Sequence, residues 1–246
     1  LLPLSFHLPA MIFYKPSVSV ELPNLLLPLE TVRAMGGAFN STGRSGTAAV
    51  GFSPLWSGDF LDDAARLYGV RVRAARSGQP VWDAEALDRT AGYLRTWVAD
   101  VNGGAAADRS FAERTLVQPP ARLLSTKKVL FARVPFSDYF ALPDEKRKDF
   151  DFRWLSNGTL IPAQDDVLFA GILRSARDKS GARKFLLWFF SPQTQRSLLE
   201  VNQSRRIGVF SIADGFSSFK TINEKDLPQK YPMLLGRVPG EASIVF

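Results

Sequence analysis

The sequence predicts an α/β protein in which short strands are covered by helices on both sides. Three observations predict it. Apolar runs of strand length alternate with stretches of helical periodicity along the chain. The 246 residues, 46% of them hydrophobic, suffice for one large or two smaller domains with a sizeable core. Near the C-terminal end, residues 182 to 201 read as two short helices punctuated at Ser191-Pro192. Ser191 suits an N-cap because its hydroxyl can accept from free amides of the first turn, and Pro192 fits where no amide donor is needed. Apolar Phe185, Leu186, Trp188, Phe189 and Phe190 before the break, then Leu198, Leu199 and Val201 after it, give both pieces a face expected to be buried.

The other elements follow in order. Residues 4 to 14 carry a strand pattern whose apolar run, Ala10 to Tyr14, ends before Pro16. Residues 29 to 35 predict a helix stopping at Gly36-Gly37. The glycine-rich stretch 36 to 46 invites comparison with a phosphate loop, since glycines let backbone amides converge on an anion. It lacks both the Gly-Lys-Ser or Gly-Lys-Thr ending and a preceding apolar strand. A short strand from residue 48 leads to the aromatic turn at Trp56, and a helix over residues 60 to 68 stops at Gly69. Asp83 is a credible N-cap for a strong helix, with Leu87, Ala91, Leu94, Trp97 or Val98, and Val101 at spacings of three and four before Gly103-Gly104. Residues 127 to 132 read as a buried strand and 135 to 140 as a loop or helix start. A strand over 150 to 155, a turn at Asn157-Gly158 and an extended run over 161 to 172 complete the list, with 16 to 28 and 103 to 122 as linker-like stretches.

Composition excludes several kinds of chemistry. With no cysteine there is no disulfide, thiolate metal site or cysteine nucleophile. The single histidine, His7, leaves one imidazole for a serine nucleophile and argues against zinc; no cofactor or metal is implied. The excess of 31 basic over 24 acidic side chains is dispersed, which reads as a solvated surface rather than a nucleic-acid interface. No run of 18 uncharged apolar residues is present to span a membrane. The first 14 residues lack a basic start and contain Pro3, His7 and Pro9, so they read as extended structure rather than a secretion signal.

The helix, Ser191-Pro192, helix pattern resembles the signature of extracytoplasmic solute-binding proteins of ABC transporters, family 1, sugar-binding type. Further segments resemble that family in order: Pro3 to Pro9 followed by Phe13-Tyr14-Lys15, then 51 to 56 with its following helix. Pro80-Val81-Trp82-Asp83 with its helix, 127 to 140, 150 to 172, and Gly215-Phe216-Ser217 continue the series. The resemblance implies a two-lobed periplasmic-binding-protein-like architecture of type II with an incomplete N-terminal lobe, because the family's first third has no counterpart here. It places the rest of the N-terminal lobe, with its crossover strand, in residues 1–54 and mainly the C-terminal lobe in 55–246. It implies a monomeric, non-enzymatic receptor, periplasmic or extracytoplasmic and lipid-anchored as its precursor. Such a receptor binds a sugar or polyol in an interlobe cleft and delivers it to an ABC permease. Carried over residue by residue, the ligand contacts are Trp56, Asp138, Tyr139, Asp165 and Asp166, with His7 and Phe216 beside them. Two alternatives stay open: a carbohydrate-active hydrolase using Asp138 with Asp165 or Asp166, and an adhesion protein that keeps the fold without transport. Adjacent Asp165 and Asp166 point to opposite faces of a strand, so the two cannot flank one scissile bond together.

Overall fold

Pro9 divides the strand expected over residues 4 to 14 into Leu2–Phe6 and Pro9–Tyr14, and the chain changes compact unit at that point. The computed structural model describes residues 1–19, 22, 24–43, 46–163, 167–205 and 207–246. A smaller unit is made of Leu1–Leu8, Pro135–Leu142 and Ala163–Ile244, and a larger one of Pro9–Val134, Pro143–Pro162 and Val245–Phe246. The division expected between residues 54 and 55 falls inside the larger unit. Packing is the reason, because Phe52 on one side of it and Phe60 and Trp97 on the other belong to one core.

The larger unit is built on a four-stranded sheet in the order Leu26–Pro28, Phe150–Ser156, Pro9–Tyr14, Ala132–Pro135. Pro9–Tyr14 runs antiparallel to Phe150–Ser156 with Ile12 opposite Phe152, and Leu26–Pro28 runs parallel to it with Leu27 opposite Leu155. Every residue from Pro9 to Phe13 is buried, as expected of a strand covered on both faces. Met11, Phe13, Leu27, Phe52, Phe60, Leu94, Trp97 and Phe131 form one continuous core. Its rings meet edge-on or tilted, Phe52 lying 4.8 Å from Phe60 and 5.8 Å from Trp97 between centroids.

Several sequence signals act as expected. Asp83 accepts from the Ala86 amide at 2.9 Å and caps the helix Ala84–Val101, and Gly103 and Gly104 follow it at φ +75° and +91°. The helix Gly58–Leu67 ends before Gly69 at φ +89°. Ser191 accepts from the Thr194 amide at 3.2 Å, separating the helices Lys179–Phe189 and Pro192–Ser204.

Other elements differ, each for a reason of packing. The helix from Leu29 does not stop at Gly36-Gly37 but runs to Phe39. This stretch serves close packing instead: the Gly36 backbone leaves no room for a Cβ on Gly51, and a Cβ on Gly37 would lie 2.8 Å from Val101. Asn40 clips the crossing by donating to the Val101 carbonyl at 2.8 Å and accepting from the Gly51 amide at 2.7 Å. The stretch 103 to 122 is no linker: it holds the helix Ala105–Thr115, anchored by buried Phe111, and the start of the helix Pro120–Ser125. The strand expected over 127 to 132 lies at Ala132–Pro135, because Lys127 adopts a left-handed φ of 55° in the turn before it. The helix Lys179–Phe189 buries none of its residues, contrary to the expectation for Phe185 and Trp188.

Beneath the helix Gly58–Leu67 sits a buried ion pair. The Arg133 guanidinium donates to Asp63 at 2.7 Å and to Asp59 at 2.9 Å, and the Arg133 and Asp63 side chains are 4% and 1% exposed. Burial raises the Asp63 carboxyl to about 6 while Arg133 holds it down.

Gly51→Ala is expected to cost about 1–3 kcal/mol in urea unfolding, whereas Gly58→Ala, with open space at its Cβ, stays near wild type. Arg133→Met strands the Asp63 charge and is expected to cost about 3–5 kcal/mol by the same measurement. Because the Asp63 carboxyl is raised on folding, from 3.8 to about 6, the folded state holds that proton more tightly than the unfolded state. Its contribution therefore favours folding below this range and declines as pH rises through it. Urea midpoints recorded across that range should show Asp63→Asn removing this part of the decline.

Candidate functional site

The smaller unit gathers its site from segments far apart in the chain. Leu2–Phe6 lies between Leu168–Ala170 and Phe216–Ser217, antiparallel to both, with Phe6 opposite Phe216 and Ser5 opposite Ser217. The strand gives out at His7, and the next carbonyl, that of Leu8, accepts from the Phe136 amide at 3.2 Å. That bond starts the short helix Phe136–Phe140 beside His7, with Pro135 as its cap and Asp138 exposed in its first turn. The third contributor is the turn before Phe216. Ser211, Ala213 and Asp214 adopt φ of 47°, 49° and 66°, and the Asp214 carboxylate accepts from the Phe210 amide at 3.0 Å. Gly215 completes the turn, since a Cβ there would lie 2.8 Å from the Phe6 carbonyl oxygen.

These segments bring His7, Asp138 and Asp214 into one electrostatic neighbourhood. Partial desolvation raises the Asp138 carboxyl above the usual carboxylate range, the like charge of Asp214 adds to the rise, and His7 opposes it. Two carboxylates with an imidazole beside them offer several acceptors and a donor, a set suited to hydroxyl groups.

Under this group the unit is aromatic. Phe136 lies 5.0 Å from Phe210, 5.7 Å from Tyr139 and 5.9 Å from Phe216, and Phe6 stacks on Phe216 at 5.9 Å. Tyr139 and Phe216, 4% and 1% exposed, are thus part of the packing beneath the site and present no open ring face. A buried polar layer adjoins them. Ser217 Oγ bonds Gln195 Oε1 at 2.5 Å and accepts from the Phe219 amide at 3.0 Å, while Asn223 exchanges two bonds with the Ser217 backbone. Ser5 Oγ, Ser211 Oγ and Gln195 Nε2 are buried without a hydrogen-bond partner among the described residues.

Trp56 lies in the larger unit. Its ring stacks on Phe111 at 5.8 Å and meets Phe52 edge-on at 5.8 Å. Its indole N–H and the Ser53 hydroxyl face Asp108; burial raises that carboxyl, while Ser53, at 2.5 Å, and then Trp56 hold it down. Next to Trp56 is a groove of about 450 Å³ lined by Leu55, Leu61, Leu94, Val98 and Arg95, whose apolar walls offer a polyol few partners. Asp165 and Asp166 lie outside the described residues. Asp214 is the residue that sequence reasoning missed; its signal was the Asp-Gly pair, a turn signature one position before the flagged Gly215.

With two units that each combine helix and strand, the chain is an α/β protein. No protein-family model matches the sequence, and no curated protein matches it. Solved structures do share the fold. One is a sugar transporter from Rhizobium etli in an open conformation, with a TM-score of 0.59 and 12% identity over 98% of this chain and 58% of its own. Another is CpMnBP1 with mannotriose bound, with a TM-score of 0.60 and 15% identity over 99% of this chain and 62% of its own. The chain therefore has a solute-binding-protein fold and spans 58% and 62% of the lengths of these two structures.

Replacing Asp214 by Asn removes a like charge and should lower the Asp138 titration midpoint, whereas His7→Ala removes the opposing group and should raise it. Carboxyl carbon NMR across pH reads both directions.

Proposed function

We propose that the chain is a sugar-binding component of an importer and that His7, Asp138 and Asp214 of the smaller unit hold hydroxyl groups of the ligand. The observation that carries this reading is that His7 after the strand Leu2–Phe6, Asp138 on the short helix and Asp214 in the turn before Phe216 belong to one unit and that His7 and Asp214 both act on the Asp138 charge. They stand on a fold shared with a sugar transporter and a mannotriose-bound protein. Carboxylates accept from sugar hydroxyls through charge-assisted hydrogen bonds, and the buried aromatic cluster below fixes their positions. Binding rather than turnover is the reading supported by a sugar transporter and a protein with mannotriose bound sharing the fold. The reading extends to an extracytoplasmic receptor that acts as a monomer, is lipid-anchored as its precursor and hands its sugar to an ABC permease. The sequence-derived contacts Asp165, Asp166 and Trp56 remain part of the proposal.

Titration calorimetry with mannotriose and a panel of mono- and oligosaccharides tests it. A sugar should bind without being consumed, and Asp138→Asn and Asp214→Asn should each weaken it about tenfold or more with unchanged far-ultraviolet circular dichroism. Absence of binding to every sugar would sink the reading, and release of cleaved sugar would replace it with a hydrolase.

A further inference from the structure

Residues 168 to 190 of the smaller unit combine exposed apolar bulk with positive charge. Phe169, Leu173, Phe185, Leu187 and Trp188 are 52%, 74%, 55%, 66% and 54% exposed. Arg174, Arg177, Lys179, Arg183 and Lys184 stand among them, and the one acidic residue, Asp178, is engaged as a cap, accepting from the Gly181 amide at 2.8 Å. None of the five basic side chains forms an ion pair with a described residue.

The order of residues around the helix Lys179–Phe189 decides what this surface fits. At 3.6 residues per turn, its solvent side presents Arg183, Leu187, Lys184, Trp188 and Phe185 in succession. Phe185 and Trp188 touch at 5.6 Å between centroids, so the aromatic part is one patch. An apolar polypeptide face laid over it would bury Arg183 and Lys184 along with Leu187, without partners for their charge. At a lipid surface the same arrangement is accommodated: the aromatic and leucine side chains enter the acyl boundary while the basic heads reach back to phosphates. No described helix is long and apolar enough to cross a membrane.

We propose that this face docks the protein onto an anionic lipid surface, the helix Lys179–Phe189 lying in the plane of the headgroups. The inference rests on charge and exposure and is independent of the sugar reading; sugar binding and vesicle binding are measured separately. The test is co-sedimentation with vesicles of equimolar phosphatidylcholine and phosphatidylglycerol, against vesicles of phosphatidylcholine alone. Binding to the anionic vesicles only, weakening with added salt, is the expected result. The paired variants Arg183→Glu with Lys184→Glu, and Leu187→Ser with Trp188→Ser, should each reduce it about tenfold or more. Since the helix buries no residue, both pairs should keep the wild-type circular dichroism and melting temperature. No binding, equal binding to both vesicle types, or binding unaffected by both pairs overturns the proposal. Self-association in solution that the Leu187 and Trp188 pair abolishes, without vesicle binding, assigns the face to a second copy of the chain instead.

Discussion

The smaller unit depends on the absence of a side chain at Gly215. Only a hydrogen there lets the turn close on the Phe6 carbonyl, and that approach sets Phe216 opposite Phe6 and Ser217 opposite Ser5. Phe216 then reaches Phe136 and Phe210, which ties the first strand, the short helix Phe136–Phe140 and the turn into one aromatic cluster. Placement of Asp214 near Asp138 and His7 is a by-product of the same contact, so the chemistry of the site and the stability of the unit have a common origin. The left-handed backbone at Ser211, Ala213 and Asp214 is the strain that this closure holds in place.

What could be read from the sequence was local. Ser191 and Asp83 cap through bonds to amides three residues on, and Gly69 and Gly103 follow helices in left-handed conformations, so their signals survive without knowledge of the rest of the fold. Gly36 and Gly37 show the converse. Local propensity makes them a helix stop, but the helix runs on past them, and the contacts they make, Gly36 with a Gly51 that has no room for a Cβ and Gly37 with Val101, come from other elements. The helix Ala105–Thr115 was hidden behind Gly103-Gly104 and a run of alanines, with Phe111 as its only large buried anchor. The exposed helix Lys179–Phe189 differs in another way, because its aromatic richness suggests burial while the interleaved Arg183 and Lys184 belong to the same face.

The candidate site was legible in part for the same reason. His7 and Asp138 were visible as polar residues at the ends of apolar runs, but their association depends on the bond from the Phe136 amide to the Leu8 carbonyl, and no spacing in the sequence encodes it. Trp56, Tyr139 and Phe216 stood out as aromatic residues near turns. An aromatic ring near a turn serves packing as readily as recognition, and the rings around Phe52 and Phe136 use these three for packing.

The five passages of the chain between its two units carry a consequence for biosynthesis. Residues 9 to 134 supply most of the larger unit as one continuous stretch, so its contacts become available while the chain is still being made. The first strand has to wait: Phe6 meets Phe216 only after 210 further residues exist, and closing so long a loop precedes any stabilisation from the aromatic cluster. Leu4 and Phe6, buried or ring-stacked in the finished unit, therefore stay unshielded until the segment around Phe216 has been made, long after the larger unit has most of its chain.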